Sequence, residues 1–266
     1  MTTADIQQVS LEILKDVHSF CIKNDIRYSL SYGTLLGAIR HKGFIPWDDD
    51  LDIMMPRPDY ERFIQSYQST NGYKILPEGK DSMIAMARVY EDKKTRVLMP
   101  VSPWCKNKEV GVWIDIFPMD GAENDFNSFI SRLDKVYNLW RENISYRKSQ
   151  IPFNLSKGII ENIRLLKRKI ICLRNNKNSE MIKLIKSVEY GSTDYVTSLA
   201  VPEIKIKEHY PISYFKNYVE VEFEDSRFLS ILEYKKYLNY VYGNYMQLPP
   251  IENRKPTHSF NTYYWK

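Results

Sequence analysis

Apolar residues recur at helical spacing over residues 4–23, at Ile6, Val9, Ile13, Val17 and Phe20. Thr2-Thr3-Ala4-Asp5 ahead of them has the form of a capping box, so the chain opens on an amphipathic, core-covering helix. Arg27 to Ser31 predicts a first strand ended by Gly33, and a short helix over 34–42 starts at Gly33-Thr34. Residues 50–54 alternate. Leu51 and Ile53 point one way and Asp50 and Asp52 the other, which predicts a second strand. Pro56-Arg57-Pro58 stops it, and Asp59 caps a helix that runs to about Tyr67. Strands are expected at 73–76, 83–90, 95–99 and 110–117, the last closed by Pro118, with Asp120 in the turn that follows. The pattern is helical over 125–147, and 155–187 reads as one or two helices. A strand at Tyr218–Phe223 and a helix over about 231–242, stopped by Gly243, complete the series. No internal repeat or flexible linker interrupts it.

Composition narrows the class. With 43% hydrophobic, 14% aromatic and 27% charged residues, the chain is globular rather than disordered. Cys21, Cys105 and Cys172 are odd in number and far apart, which fits neither a disulfide framework nor zinc spacing and points to a reducing compartment. No secretory pattern opens the sequence, and no apolar run approaches the roughly 18 residues that span a bilayer. The expected location is cytoplasmic. The net charge of +5 is unevenly spread. Residues 157–187 hold nine Lys/Arg against Glu161 and Glu180, so this segment alone is +7 and the remainder about −2.

The chemistry concentrates between Tyr28 and Met55. Asp48, Asp49, Asp50 and Asp52 place four carboxylates in five positions between Trp47 and Ile53-Met54-Met55, a mutual repulsion that a bound cation relieves. Asp50 and Asp52 on one strand face suit a hard cation shared with a phosphate, and rank above Asp48 and Asp49. A Gly-Thr pair at a strand-to-helix turn lets phosphate approach backbone N–H groups. Glycine pair, helix and acidic pair in this order fit the nucleotidyltransferase-fold pattern. Asp115, inside the apolar run Val112–Phe117, needs a partner: an arginine, or a metal it shares with the acidic pair. Arg40, His41 and Lys42 suit either phosphate contact or a cationic helix end. His258, near Arg254 in the C-terminal segment, is a base, a phosphate ligand or a tail residue.

These residues match a known pattern. GTLLGAIRHKGFIPWDDDLDI strongly resembles the signature of the LicD family, as do IDIFPMDG at 114–121, YGNYMQLPP at 242–250 and the closing His258 with Tyr264-Trp265. The resemblance implies a nucleotidyltransferase-like core, and it does not cover 125–187. Taken with the helical pattern and charge of that segment, the expected fold is α+β: a core of mixed β-sheet flanked by helices (1–124), a basic helical insertion (125–187) and a C-terminal α/β extension (188–266) that completes the site. The resemblance implies transfer of a phospho-alcohol group, phosphocholine from CDP-choline above all, to a sugar hydroxyl of teichoic acid, lipopolysaccharide or capsule, with release of CMP. Carried over residue by residue, Asp50, Asp52 and Asp115 are the metal-holding and catalytic acids for one or two Mg²⁺ ions, with Mn²⁺ as a substitute. Gly33, Thr34, Arg40, Lys42 and His258 are placed on the donor. Many relatives carry two adjacent histidines in the tail, where this chain has Thr257-His258. Trp47, Trp104, Trp113 and Tyr264 are candidates for contact with a choline ammonium.

The basic segment mixes its cations with Ile159, Ile160, Ile163, Leu165 and Leu166, as a helix lying on an anionic membrane surface does, or one with a solvated basic face. Peripheral contact with the inner face of a membrane, and a lipid-linked glycan acceptor, follow from the first reading. Nucleic acid is not expected, because no stacking aromatics are interleaved. The competing activities are a nucleotidyltransferase that uses an NTP and releases pyrophosphate, a nucleotide-sugar glycosyltransferase, and a catalytically dead glycan-binding module. The single helix and strand before Asp50 disfavour the glycosyltransferase.

Overall fold

The computed structural model describes residues 1–79, 84–98, 110–149, 158–171, 177–202, 208–256 and 262–266, with the side chains of 145–149 and 168–171 left aside. Helix α1 (Thr3–Lys23) is capped as its sequence predicts: Asp5 N donates to Thr2 Oγ1 at 3.2 Å, and Thr2 N to Asp5 Oδ2 at 2.7 Å. Its buried face, Ile6, Leu11, Ile13, Leu14, Val17 and Cys21, lies against the core.

The core is a mixed sheet. Strands β1 (Ser29–Leu30), β2 (Asp52–Pro56), β3 (Lys74–Leu76), β4 (Ala87–Tyr90) and β6 (Trp113–Ala122) run in the order β1-β2-β6-β4-β3. β2 and β6 are parallel, and the other pairs are antiparallel. Strand β5 (Thr95–Leu98) pairs instead with β11 (Thr262–Trp265), close to the C-terminus. β7 (Tyr195–Thr197) extends the main sheet along the far half of β6, and β8 (Tyr210–Pro211) follows it. Residues expected in a C-terminal extension therefore share a sheet with the first 124. The hairpin of β9 (Tyr218–Phe223) and β10 (Ser226–Ile231) packs beside β1. Helices α2 (Tyr32–His41), α3 (Arg57–Ser66), α4 (Phe126–Ser149), α5 (Gly158–Ile171), α6 (Asn178–Ile185) and α7 (Tyr234–Tyr242) surround the sheet.

β6 corrects the expected end at Pro118. The strand runs on to Ala122 and all ten of its residues are buried. Pro118 interrupts nothing, because along β6 the pairing with β4 stops at Ile116 and the pairing with β7 starts at Asp120. Among the described residues no strand lies on that side of the intervening positions, so the missing N–H leaves no ladder partner there. Asp120 is accordingly not a turn residue. It is buried in β6 and receives Arg57 Nε and Nη2, each at 2.7 Å. Arg57 also reaches Glu78 at 2.7 Å, and Lys186 reaches Glu78 at 3.0 Å. Asp59 lies within the first turn of α3 rather than at its cap, and accepts from Arg27 Nη2 at 2.6 Å. These pairs tie the lead-in to β1, α3, β6 and the end of α6 into one frame.

Candidate active site

The site forms where β1 turns into α2 and where β2 begins beside β6. Tyr32, at the turn, has φ +45°, a left-handed conformation uncommon for a bulky side chain. Its ring meets Phe117 edge-on at 5.2 Å, and its hydroxyl donates to Glu208 at 3.1 Å. Gly33 comes next. A Cβ there would lie 2.7 Å from Asp48 Oδ2, so the absence of a side chain lets the acidic loop close over the turn. The Thr34 hydroxyl accepts from Asp52 N at 2.8 Å, and Ser31 N donates to Asp52 O at 3.1 Å. The Gly-Thr turn and the first residue of β2 are thereby fastened together.

The acids gather on this scaffold. Carboxylate oxygens of Asp48, Asp49 and Asp50 lie within 4.8 Å of one another, with Asp49 buried and the other two half-buried. Gln7 Nε2, from α1, steadies the loop by donating to Asp48 O at 2.8 Å. Asp50 sits in the extended lead-in, because β2 starts only at Asp52. Asp52 is the register partner of Asp115 across the parallel pair. Burial first, then the charges of Asp50, Asp115 and Asp48, raise the Asp52 carboxyl well above the usual carboxylate range; Arg88 opposes them. Asp115 has the arginine partner that its apolar strand called for. Arg88 Nε donates to Oδ1 at 2.5 Å and Trp113 Nε1 to Oδ2 at 3.2 Å, with the Arg88 guanidinium 4.4 Å above the Trp113 ring. The Tyr242 hydroxyl is pushed up by burial and then by Asp52 and Asp48, which places the end of α7 beside the cluster.

The expected cations are differently engaged. Arg40 Nη1 donates to Tyr245 O at 2.9 Å and Gln247 O at 3.3 Å, so it clamps the YGNYMQLPP segment onto α2. Lys42 caps α2 at φ +63° and lies 3.7 Å from Glu222, both exposed. Arg254 stacks over Trp47 at 5.4 Å. His258 and Trp104 lie outside the described residues.

Several groups here escaped the sequence pattern. Arg88 sits in a strand whose alternation gave no hint of Asp115. Glu208 lies 176 positions from Tyr32, and no local motif marks it. Its buried carboxyl is pushed up to about 8, chiefly by desolvation. Asp48 and Asp49, ranked below Asp50 and Asp52 by strand alternation, have their carboxylates in one cluster with that of Asp50.

The donor set fits a hard divalent cation: clustered oxygen ligands, excess negative charge and a buried acid that its neighbours disfavour as an anion. Adjacent backbone N–H groups at the start of α2 suit a phosphate.

Residues 25–164 match the family described as LicD/FKTN/FKRP, nucleotidyltransferase domain. The chain is 30% identical over 273 residues to the lipopolysaccharide cholinephosphotransferase LicD of Haemophilus influenzae, across 99% of this chain and 98% of that protein. An uncharacterised protein of Rickettsia typhi is 50% identical over 69 residues, which are 26% of this chain and 19% of that one. Another, from Rickettsia prowazekii, is 52% identical over 48 residues, 18% of each chain.

Proposed function

Because the chain belongs to the LicD family of phosphotransferases, we propose that it transfers phosphocholine, or a related phospho-alcohol, from a CDP-alcohol to a sugar hydroxyl of a surface glycan. Lipopolysaccharide is the first acceptor to test, ahead of teichoic acid and capsule, and CMP is the leaving group. The observation that carries the reading is the match over essentially the whole of both chains to an enzyme named for phosphocholine transfer to lipopolysaccharide. A nucleotidyltransferase-like core and a cytoplasmic location belong to the same reading. Among the described residues no helix is long and apolar enough to cross a membrane.

The residues divide the work. Asp50 and Asp52, with Asp48 beside them and Asp115 on the adjoining strand, would hold Mg²⁺ or Mn²⁺. Bound there, the ion supplies positive charge for the donor diphosphate and the departing CMP. The N–H groups of Gly33 and Thr34 cradle a phosphate at the start of α2. The acceptor oxygen attacks the phosphorus that bears the alcohol; a new P–O bond forms as the bond to CMP breaks. Asp115 already accepts from Arg88 and Trp113. The hydroxyl proton passes to a carboxylate of this cluster as the new bond forms. Alignment of the reactants and fixed charge do most of the catalysis.

The test is product analysis with CDP-choline and a deacylated lipopolysaccharide acceptor. CMP and a choline-phosphate-bearing glycan are expected. Pyrophosphate from an NTP, with no CMP from any CDP-alcohol, would overturn the reading in favour of nucleotidyl transfer.

A further inference from the structure

α5 is built unlike the other helices. Ile159, Ile163 and Leu166 recur at i, i+4 and i+7, so they form one stripe, and they are 79%, 48% and 48% exposed; Ile160 beside them is 69% exposed. The helix packs on α4, yet among the described residues none of its aliphatic side chains joins either core cluster. A stripe of large aliphatic groups left in water is unfavourable and marks a surface that something covers.

Charge identifies the cover. Within Gly158–Ile171 the cations are Arg164, Lys167, Arg168 and Lys169, against Glu161 alone, a net +3. Glu161 is already engaged by Arg164 at 2.6 Å. A second copy docking through this face would set +3 against +3. An anionic bilayer supplies both complements, acyl chains for the stripe and phosphates for the cations. At 14 residues, about 21 Å of helix, α5 is too short to span a hydrocarbon core of roughly 30 Å, so it lies in the surface plane.

We propose that α5 is a peripheral membrane-docking helix, its Ile159–Ile163–Leu166 stripe inserted between the headgroups of an anionic bilayer and its cations on their phosphates. The inference does not depend on the identity of the donor, since it is read by binding alone.

The experiment is co-sedimentation of the full chain with phosphatidylglycerol/phosphatidylethanolamine vesicles and, in parallel, with phosphatidylcholine vesicles. Binding to the anionic vesicles is expected, at least about tenfold weaker to the neutral ones and weakened by added salt. Ile163→Ser/Leu166→Ser and Arg164→Gln/Lys167→Gln should each reduce it about tenfold. Both pairs are exposed, so unchanged circular dichroism and melting will show that the fold persists. Turnover of a water-soluble acceptor should be untouched by either pair. Negligible binding of the parent chain to both vesicle types overturns the proposal. So does a parent dimer that Ile163→Ser converts to monomer, which would assign the stripe to a second copy.

Discussion

β2 and β6 carry acids at both ends of their shared pairing, and the two ends are treated in opposite ways. Beyond Pro56 and Met119, Asp120 is buried against Arg57, and Glu78, Glu61 and Lys186 complete a set in which charges face opposite charges. At the other end Asp52 faces Asp115 in register, with Asp48, Asp49 and Asp50 alongside and Arg88 as the cation engaged with Asp115. Desolvation raises the carboxyls of both Asp52 and Asp120. Arg57 leads the groups that pull Asp120 back, whereas neighbouring acids push Asp52 further. The compensated end holds the sheet together. The Asp52 end gathers like charges, an arrangement that suits a metal and a diphosphate.

Substitution should separate the two ends. Asp52→Asn is expected to lower turnover by about a thousandfold or more. Its melting temperature at neutral pH, without added metal, should match or exceed the parent's. The sign follows from the raised carboxyl: the folded state favours the protonated form, so stability falls as pH rises past the unfolded value, and the amide removes that cost. Comparable turnover would remove Asp52 from catalysis. Arg57→Ala should act in reverse, losing about 3–5 kcal/mol in urea unfolding because Asp120 is left buried and unpaired. A matching loss of kcat in the folded fraction would merge the two ends and defeat the distinction.

Gly33→Ala is intermediate. The new methyl must displace Asp48 from the turn, and activity should fall by about a hundredfold with a small change in stability. Parent-like kinetics would show that Asp48 need not sit there. The smallest effect belongs to Glu208→Gln. Its carboxyl rises from an unfolded value of 4.5 to about 8 on folding, so the folded state holds its proton and stability drains away as pH rises across that window. The glutamine variant should show a flatter stability profile between those values in thermal melts. An unchanged slope would mean that another group titrates there.

What could be read from the sequence was local. The capping box of α1, the alternation of β9 and the glycine stop after α7 each reside in a few neighbouring residues, and each appears where the pattern puts it. The run from Gly33 to Asp52 was legible because its glycine, threonine and acids lie close together in the chain. β6 was legible only as far as Phe117, since its proline reads as a stop. Long-range partners were invisible for a plainer reason. Nothing near Asp120 announces Arg57, and nothing near Tyr32 announces Glu208, because burial and pairing are decided by elements far apart in sequence. Strand alternation also ranked Asp50 as a strand residue, when β2 in fact begins two positions later.

The register Asp52↔Asp115 has a kinetic consequence. The two residues are brought level only when a parallel pair forms, and parallel strands cannot be joined by a tight turn; α3, β3, β4 and β5 intervene here. Closing so long a loop is slow relative to forming α1 or the β9–β10 hairpin. During refolding, helical signal should therefore return before catalytic competence, and the lag between them is the time the chain needs to zip β6 onto β2 in the one alignment that sets acid opposite acid.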